Sequence, residues 1–394
     1  MAKLECLIEK PLSGEWGLDD ENGTGIPVLR TTNFTNEGVI NYEKIVTRII
    51  SSSKLKDKFL RYGDIILEKS GGSEKQPVGR VVFFDGENDR YLFNNFTTVL
   101  RVRDTSVINS KYLFYVLFYN YFSGGTKKLQ SKTTGLHNLH LTNFIKSVDI
   151  PLVSLSQQVK IVKKFDTINS IIAKRKLQLS KLDQLVKARF VEMFGDPESN
   201  PLAWKEEKLE GYVKLVGGYT FKSEGFAESG IPVLRIGNIN AGFFKPDNLV
   251  FWRDDDDLEK YKIFPGDLVM SLTGTVGKED YGNVCILDDT YSVYYLNQRN
   301  AKIRLSASLN KIFLAEILKF SKVKKKLTGI SRGIRQANIS NADIYNLRIP
   351  IPPINLQEEF ASFVQRIDKT KTTVKQSLEK LETLKKSLMQ EYFG

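Results

Sequence analysis

The string IPVLR occurs twice in this chain, at Ile26–Arg30 and at Ile231–Arg235. Its surroundings recur with it: "YGDIIL" at 62–67 matches "PGDLVM" at 265–270, and "FG" closes the chain and also stands at 194–195. Matched residues keep the same order throughout, at a spacing of roughly 200 residues. A period of this length is too long for a solenoid, so each copy should be a domain with an appendage. The sequence therefore predicts two copies of one ancestral unit.

The first part of each copy consists of short apolar runs between Gly, Asn, Asp and Pro. These runs are rich in β-branched and aromatic residues, which favour strands. The clearest are 80–84, 97–102, 283–287 and 301–305. The strings "KYLFYVLFYNYF" at 111–122 and "KIFLAEILKF" at 311–320 predict buried helices at matching places. Each copy is therefore predicted to begin with an α+β globule.

The second part of each copy has apolar residues at alternating three- and four-residue steps, which indicates a heptad seam. In the first copy the seam is Phe165, Ile168, Ile172, Leu179, Leu182, Val186 and Met193, and in the second Val364, Ile367, Val374, Leu378, Leu381, Leu388 and Tyr392. Arg175 and Arg189 interrupt one seam, and Lys371 and Lys385 the other, at positions that do not align. Pairing of the two different helices within one chain is therefore favoured over pairing of either helix with itself.

The predicted fold class is α+β, with two similar mixed α/β domains separated by a long antiparallel two-helix coiled coil and related by a pseudo-twofold internal repeat. The predicted globules span 1–150 and 196–348, and the predicted spacer helices 151–195 and 349–394. A helix of about 40 residues is roughly 60 Å long. Gly195 ends the first helix, as glycine does at C-terminal caps.

The 394 residues carry a formal net charge of +12, which favours contact with a polyanion such as nucleic acid. No apolar run approaches the roughly 20 residues that a membrane span requires, and the opening residues lack the apolar core of a signal peptide. Cys6 and Cys285 are interpreted as reduced core residues. Together these features predict a cytoplasmic protein.

Motifs for catalysis are weak. "GTVGKE" at 274–279 lacks the first glycine and the hydroxyl residue of a phosphate-binding loop. Asp64, Glu68 and Lys69 resemble a nuclease cluster, but the second copy has Ser271 in place of the glutamate. His137 and His140 have no cysteines near them in sequence that would complete a ligand set, so no metal site is predicted.

Basic polar loops recur at two places in each copy, at 68–80 and 124–138 and again at 271–278 and 322–338. Lysine and arginine neutralise phosphates, while Arg, Asn and Gln pair with base edges in the major groove. Solvated turns are the simpler interpretation, but the duplication and the overall charge favour DNA contact. The candidate DNA-binding residues are Lys69, Ser70, Lys75, Gln76, Arg80, Lys127, Lys128, Lys132, Asn138, Thr273, Thr275, Lys278, Lys324, Lys325, Arg332, Arg335 and Gln336.

The order of these parts resembles the specificity (S) subunit of type I restriction–modification systems. The resemblance rests on IPVLR, on "GD" followed by a Gly-rich loop ending in "VGR" or "VGK", and on "NQRNAKIR" at 297–304. It continues with "RQANISNADIYNLRIPIPPINLQEEF" at 335–360, the long helix and the closing "FG". The first copy has no equivalent of "NPLAW" at 200–204, and its pre-helix motif lacks "RQ".

The resemblance implies a non-catalytic subunit whose two target recognition domains read the halves of a split double-stranded DNA target. It also implies modification subunits that bind S-adenosylmethionine and a restriction subunit that uses ATP and Mg²⁺, with no cofactor on this chain. Ile161, Ile171, Phe360 and Phe363, off the main seam, are the candidate contacts to those subunits. The alternatives are a fused DNA methyltransferase or nuclease with its own recognition domains, and a coiled-coil adaptor that binds only proteins.

Overall fold

The strand that carries IPVL lies in the same kind of sheet in both halves of the chain. The computed structural model describes residues 1–51, 55, 57–133, 136–278, 280–329 and 336–394. It divides into unit 1, Met1–Arg175 with Ser377–Gly394, and unit 2, Lys176–Gln376. Each unit thus contains one globule together with parts of both long helices.

Unit 1 is built from short strands and three helices that precede the first long helix. The strands are β1 (Ala2–Lys3), β2 (Leu12–Ser13), β3 (Leu18–Asp19), β4 (Ile26–Leu29), β5 (Val46–Ile49), β6 (Ile65–Glu68), β7 (Ser70–Gly72), β8 (Val81–Phe83), β9 (Leu92–Phe93), β10 (Thr97–Leu100), β11 (Gln130–Thr133), β12 (Leu136–Leu139) and β13 (Asp149–Ile150). The helices are α1 (Leu4–Leu7), α2 (Ser110–Phe122), α3 (Leu141–Ser147) and the long α4 (Leu155–Phe194).

Unit 2 repeats the order of the central strands, whereas its helices are divided differently. Its strands are β14 (Glu206–Lys208), β15 (Val213–Gly217), β16 (Ile231–Leu234), β17 (Val250–Trp252), β18 (Lys262–Ile263), β19 (Leu268–Ser271), β20 (Thr273–Thr275), β21 (Val284–Ile286), β22 (Tyr294–Leu296), β23 (Asn300–Leu305), β24 (Gln336–Asn338) and β25 (Arg348–Pro350). The helices are α5 (Lys311–Ile317), α6 (Ser321–Thr328), α7 (Asn341–Asn346) and the long α8 (Ile354–Phe393). The helix predicted at 311–320 therefore ends three residues early.

The sheets of the two units correspond strand for strand at their centres. The order β2-β10-β6-β8 in unit 1 matches β15-β23-β19-β21 in unit 2. Both IPVL strands pair antiparallel with one neighbour and parallel with another, β4 with β5 and β9, and β16 with β17 and β22. The predicted duplication of a mixed α/β fold is confirmed.

An asparagine after each IPVLR string ties down the turn that follows. The Asn33 carboxamide oxygen accepts from the Arg30 N–H at 2.9 Å, and its amide group donates to the Asn41 carbonyl at 3.1 Å. Asn238 makes the equivalent bonds, accepting from the Arg235 N–H at 3.0 Å. Because both asparagines are buried, these bonds satisfy backbone groups that water does not reach.

The cores form around α2 in unit 1 and α5 in unit 2. Helix α2 buries every residue from Tyr112 to Phe118, which explains why it is apolar on all sides. Cys285 is buried as predicted, but the prediction of a core position for Cys6 is wrong. Leu4 and Leu7 face the core from the single turn α1, so Cys6 between them is exposed. None of the helices in the described residues is long and apolar enough to span a membrane.

The long helices pair antiparallel within each unit. In unit 1 the beginning of α4 meets the end of α8, with the Phe165 and Phe393 ring centroids 5.7 Å apart. In unit 2 the end of α4 meets the beginning of α8, with the Phe190 and Phe360 centroids 5.4 Å apart. Every predicted seam residue is buried or half-buried, and the Lys371 ammonium forms an ion pair with Asp183 at 2.8 Å. The predicted antiparallel pairing is confirmed.

Candidate nucleic-acid interface

Strand pairing brings the two basic loops of unit 1 together. β7, in the first loop, pairs antiparallel with β12, at the end of the second, so that Asn138 lies opposite Ser70 and His137 opposite Gly72. The Leu139 N–H also donates to the Lys69 carbonyl at 2.8 Å. Two loops that are distant in sequence therefore share one small sheet, which β11 completes.

Unit 2 brings its two basic loops together in the same way. β20 pairs antiparallel with β24, with Thr273 opposite Asn338 and Thr275 opposite Gln336. The Ile339 N–H donates to the Leu272 carbonyl at 2.8 Å, which repeats the bond of unit 1. The predicted loop pairs are therefore neighbours in both units.

A third segment, outside the predicted basic loops, contacts them in each unit. The backbone N–H of Lys69 donates to the Phe96 carbonyl at 2.9 Å, and that of Leu272 donates to the Arg299 carbonyl at 2.8 Å. Both carbonyls belong to tight turns, at 94–97 and 297–300, that precede β10 and β23. The Asn-rich string around Arg299 is a turn signal that could have identified this segment.

Arg80 is anchored inside unit 1. Its guanidinium forms two bonds to the Glu68 carboxylate, at 2.8 and 3.1 Å, and a third to the Thr31 carbonyl at 3.2 Å. The two side chains are only 12% and 4% exposed. Bidentate pairs of this kind fix geometry. The Arg80 and Glu68 side chains line a cavity of about 340 Å³, together with Thr31, Thr32, Phe34, Gly71, Gly72, Ser73 and Gln76.

The structural counterpart of Arg80 is Asn283, so the sequence match of "VGR" with "VGK" is wrong. The Glu68 N–H donates to the Arg80 carbonyl at 2.8 Å, and the Ser271 N–H donates to the Asn283 carbonyl at 2.9 Å. The preceding residues, Gly79 and Gly282, both have positive φ, 106° and 67°. This left-handed backbone favours glycine, which explains its presence at both bends.

Asn283 forms part of a polar network in unit 2. Its side-chain oxygen accepts from the Lys324 ammonium at 2.7 Å, and its amide group donates to the Asn240 side chain at 3.3 Å. Lys324 is only 9% exposed. Its ammonium is therefore committed to the interior of the unit, unlike that of the neighbouring exposed Lys325.

Asp280 closes the first loop of unit 2. It accepts from the Thr275 backbone at 2.8 Å and from the Thr275 hydroxyl at 2.9 Å. Desolvation raises the pKa of the Asp280 carboxyl, but these hydrogen bonds outweigh it and leave the pKa below its ordinary value. The Thr273 hydroxyl oxygen is buried without a hydrogen-bond partner among the described residues.

Five of the candidate DNA-binding lysines in the described residues are exposed: Lys75, Lys127, Lys128, Lys278 and Lys325. Lys69 is half-buried, and its ammonium donates to the Ser13 hydroxyl at 3.0 Å. Burial lowers the pKa of Lys69. Ser70 and Asn138 are half-buried in the β7–β12 pair. Four predicted contacts lie outside the described part of the chain: the Lys132 and Gln336 side chains, Arg332 and Arg335.

Two of the four candidate subunit contacts are buried within the chain. Ile161 is 8% exposed in the core of unit 1, and Phe360 is fully buried between Phe190 and Phe194. Their prediction as partner contacts is therefore corrected: these side chains fasten the helices to their own globules. Ile171 is 37% exposed and Phe363 is half-buried.

Phe363 lies beside a groove on the helices of unit 2. The groove has a volume of about 570 Å³ and is also lined by Leu185, Ala188, Arg189, Glu192, Glu359 and Arg366. Arg189 forms ion pairs with Glu192 at 3.0 Å and Glu359 at 3.1 Å. The groove is therefore lined by both apolar side chains and paired charges.

The acidic residues considered for nuclease chemistry are each paired with an arginine. Arg101 donates to both Asp64 oxygens, at 2.8 and 2.7 Å, as Arg80 does to Glu68. Their lone pairs are therefore engaged by guanidinium groups. The His137 ring nitrogen lies 3.3 Å from the Gln130 side-chain oxygen, an ordinary polar contact between β11 and β12.

Comparisons with known proteins agree with this architecture. The family model for the type I restriction modification DNA specificity domain matches residues 10–181 and 201–383. The chain is 27% identical over 338 residues to the type I restriction enzyme MjaVIII specificity subunit of Methanocaldococcus jannaschii, covering 78% of this chain and 76% of that protein. It is 20% identical to the putative MjaX specificity subunit of the same organism, covering 98% of this chain and 91% of that one.

A solved structure has the same fold. The S subunit of a type I restriction–modification system from M. genitalium aligns with a TM-score of 0.61 at 16% identity, covering 100% of this chain and 95% of that one. The family model covers most of both units, and the members of this family are specificity subunits that catalyse nothing themselves. The chain belongs to the family of type I restriction–modification DNA specificity subunits.

Proposed function

We propose that this specificity subunit reads a bipartite double-stranded DNA target, with one recognition domain for each half. The observation that carries the proposal is the pairing of β7 with β12 and of β20 with β24, which joins two basic loops at the same place in both units. Exposed lysines on these loops neutralise phosphates, and the polar side chains between them contact base edges.

Exchange of loops tests the assignment of one half-site to one unit. Residues 271–278 and 322–338 are replaced by those of another family member, and methylated adenines are mapped across the genome. We expect one half of the target to change while the other half and the gap are kept. A change in both halves would contradict the division of labour, and the absence of any split motif in wild-type cells would contradict the proposed function.

The helices are proposed to set the gap between the half-sites. Deletion of one heptad from both α4 and α8 shortens each helix by about 10 Å. At roughly 3.4 Å per base pair, the recognised gap should shrink by about three base pairs. The same methylation mapping measures it, and an unchanged gap would refute the role of the helices as a spacer.

The groove beside Phe363 is proposed to bind a modification subunit. Its mixture of an aromatic ring and charged groups suits a protein interface. Phe363→Ser should reduce co-purification of the modification subunit, while Leu384→Ser, an exposed apolar residue of α8 outside the groove, serves as the matched control. Equal loss in both variants, or no loss in either, would exclude the groove as the docking site.

Catalysis is proposed to reside on the partners, where modification subunits bind S-adenosylmethionine and a restriction subunit uses ATP and Mg²⁺. Calorimetry with S-adenosylmethionine compares the isolated chain with the purified complex. Binding to the complex alone is expected. Binding to the isolated chain would favour a fused methyltransferase instead.

A further inference from the structure

The turn at 297–300 in unit 2 is held rigidly by its own backbone. The Asn300 N–H donates to the Asn297 carbonyl at 2.9 Å, and the Arg299 N–H donates to the Asn297 side-chain oxygen at 3.1 Å. The Gln298 N–H donates to the Tyr219 carbonyl at 2.9 Å. The two residues at the tip, Gln298 and Arg299, have exposed side chains.

The base of this turn is buried in the framework. Asn300 is fully buried, lies opposite Ser271 in the β19–β23 pair, and donates from its side chain to the Leu234 carbonyl at 2.7 Å. The bond from Leu272 to the Arg299 carbonyl joins the tip to the strand that carries Thr273. The tip is therefore fixed beside the sheet that unites the two basic loops.

Unit 1 has the same turn with a different tip. The Thr97 N–H donates to the Asn94 carbonyl at 3.0 Å, and the Lys69 and Ser70 N–H groups both donate to the Phe96 carbonyl, at 2.9 and 3.2 Å. Phe96 occupies the position of Arg299 and is 39% exposed. One scaffold thus presents an aromatic ring in one unit and a guanidinium in the other.

The groups at the tip in unit 2 are suited to reading a base. In the described part of the chain, no carboxylate or carbonyl is bonded to the Arg299 guanidinium, in contrast to the anchored Arg80. A guanidinium forms paired bonds to the O6 and N7 atoms of guanine, the commonest specific contact in the major groove. A rigid backbone lowers the entropy lost on binding, which favours such a geometric role over a diffuse phosphate contact.

We infer that Arg299 is a specificity-determining residue that reads a guanine in the half-site of unit 2. Phe96, at the same position in unit 1, offers an apolar contact of the kind made with a thymine methyl group. This inference rests on the proposed function, since it assigns one position of the target to one side chain.

The test is a selection of bound duplexes from a randomised library, using the full chain with the subunits that co-purify with it. Arg299→Ala should reduce the preference for guanine at one position of one half-site by about 10-fold to 100-fold and leave the other positions unchanged. Arg299→Lys keeps the charge but loses the planar fork, so it should lose the preference as well. Arg253→Ala, an exposed arginine of the same unit that pairs with Asp255 at 3.4 Å, is the control.

Two outcomes would overturn the inference while leaving the proposed function intact. One is weaker binding to all sequences with a salt dependence reduced by about one unit and rescue by lysine, which indicates a phosphate contact. The other is an unchanged preference in Arg299→Ala. If the wild-type complex selects no sequence at all, the proposed function fails and the inference fails with it.

Discussion

Replacing Gln158 with leucine should loosen α4 from the globule of unit 1. Gln158 is fully buried in the first turn of the helix. Its side-chain oxygen accepts from the Asn109 N–H at 2.8 Å, and its amide group donates to the Val153 and Val107 carbonyls at 2.9 and 3.1 Å. Asn109 in turn caps α2, so one glutamine connects the long helix to the central helix of the core.

The magnitude follows from the groups left without partners. Leucine fills the space but forms none of these bonds, and a buried backbone group without a partner costs about 1–3 kcal/mol. Val107 is exposed, so water can replace the bond to its carbonyl, and the cost falls on the Asn109 N–H and the Val153 carbonyl. The free energy of unfolding of unit 1 should fall by about 3 kcal/mol, which corresponds to roughly 100-fold in an opening equilibrium.

Hydrogen exchange followed by mass spectrometry measures the free energy of local opening. A local measurement is needed because the two units need not unfold together. Protection of the peptide that contains Asn109 should fall by about two orders of magnitude. Gln357→Leu should do the same at Asn310 in unit 2, where the Gln357 oxygen accepts from the Asn310 N–H at 2.8 Å.

Gln365→Leu, an exposed glutamine of α8, is the matched control and should change protection little. If Gln158→Leu behaves like this control, the glutamine is not the connection that its bonds indicate. If protection from exchange falls equally at Asn109 and Asn310 in Gln158→Leu, the variant destabilises the whole chain rather than unit 1 alone.

Three further outcomes are expected. Arg101→Leu leaves the buried Asp64 carboxylate without its guanidinium and should cost about 3–5 kcal/mol in urea unfolding, whereas a cost below about 1 kcal/mol would contradict the buried pair. At pH 8 a thiol reagent should label the exposed Cys6 at once and Cys285 only on unfolding, because burial raises the pKa of Cys285 to about 12; equal rates would refute this. Because the pKa of Cys285 in the folded protein lies above that of an unfolded thiol, about 8.5, its contribution to the free energy of unfolding depends on pH. The contribution is fully present below about pH 8.5 and is lost as the pH rises from there towards 12. Lys127→Ala should weaken DNA binding uniformly and lower the salt slope by about one unit, and an altered base preference would contradict a phosphate role.

The framework could be predicted from the sequence because its signals are periodic. The heptad seam, the buried helix at 111–122 and the strand runs depend on patterns that burial imposes on many residues at once. The heptad seam does not reveal that each long helix also buries a second face against a globule. Ile161 and Phe360, off the seam, were for that reason mistaken for exposed contacts.

The correspondence between the loops of the two units was harder to predict, because a short motif and the spacing of the repeat indicate different pairs of residues. The spacing that pairs Asn94 with Asn297 also pairs Arg80 with Asn283. The motif Val-Gly followed by a basic residue instead suggests that Arg80 corresponds to Lys278. The structure follows the spacing, since a glycine with positive φ is needed where the chain bends into β8 and β21. The side chains of a polar loop can vary, whereas the backbone bend must be kept.

In both units the residues that stabilise the fold differ from those proposed to recognise DNA. Asn33 and Asn238 make the same buried bonds in both copies, because removing them leaves backbone groups unsatisfied. Phe96 and Arg299 differ completely, although the bonds around them involve only their carbonyls and N–H groups. A turn whose backbone is fixed by its neighbours accepts any exposed side chain at its tip. Under the proposed function, divergence of the two half-sites then requires no change in the fold.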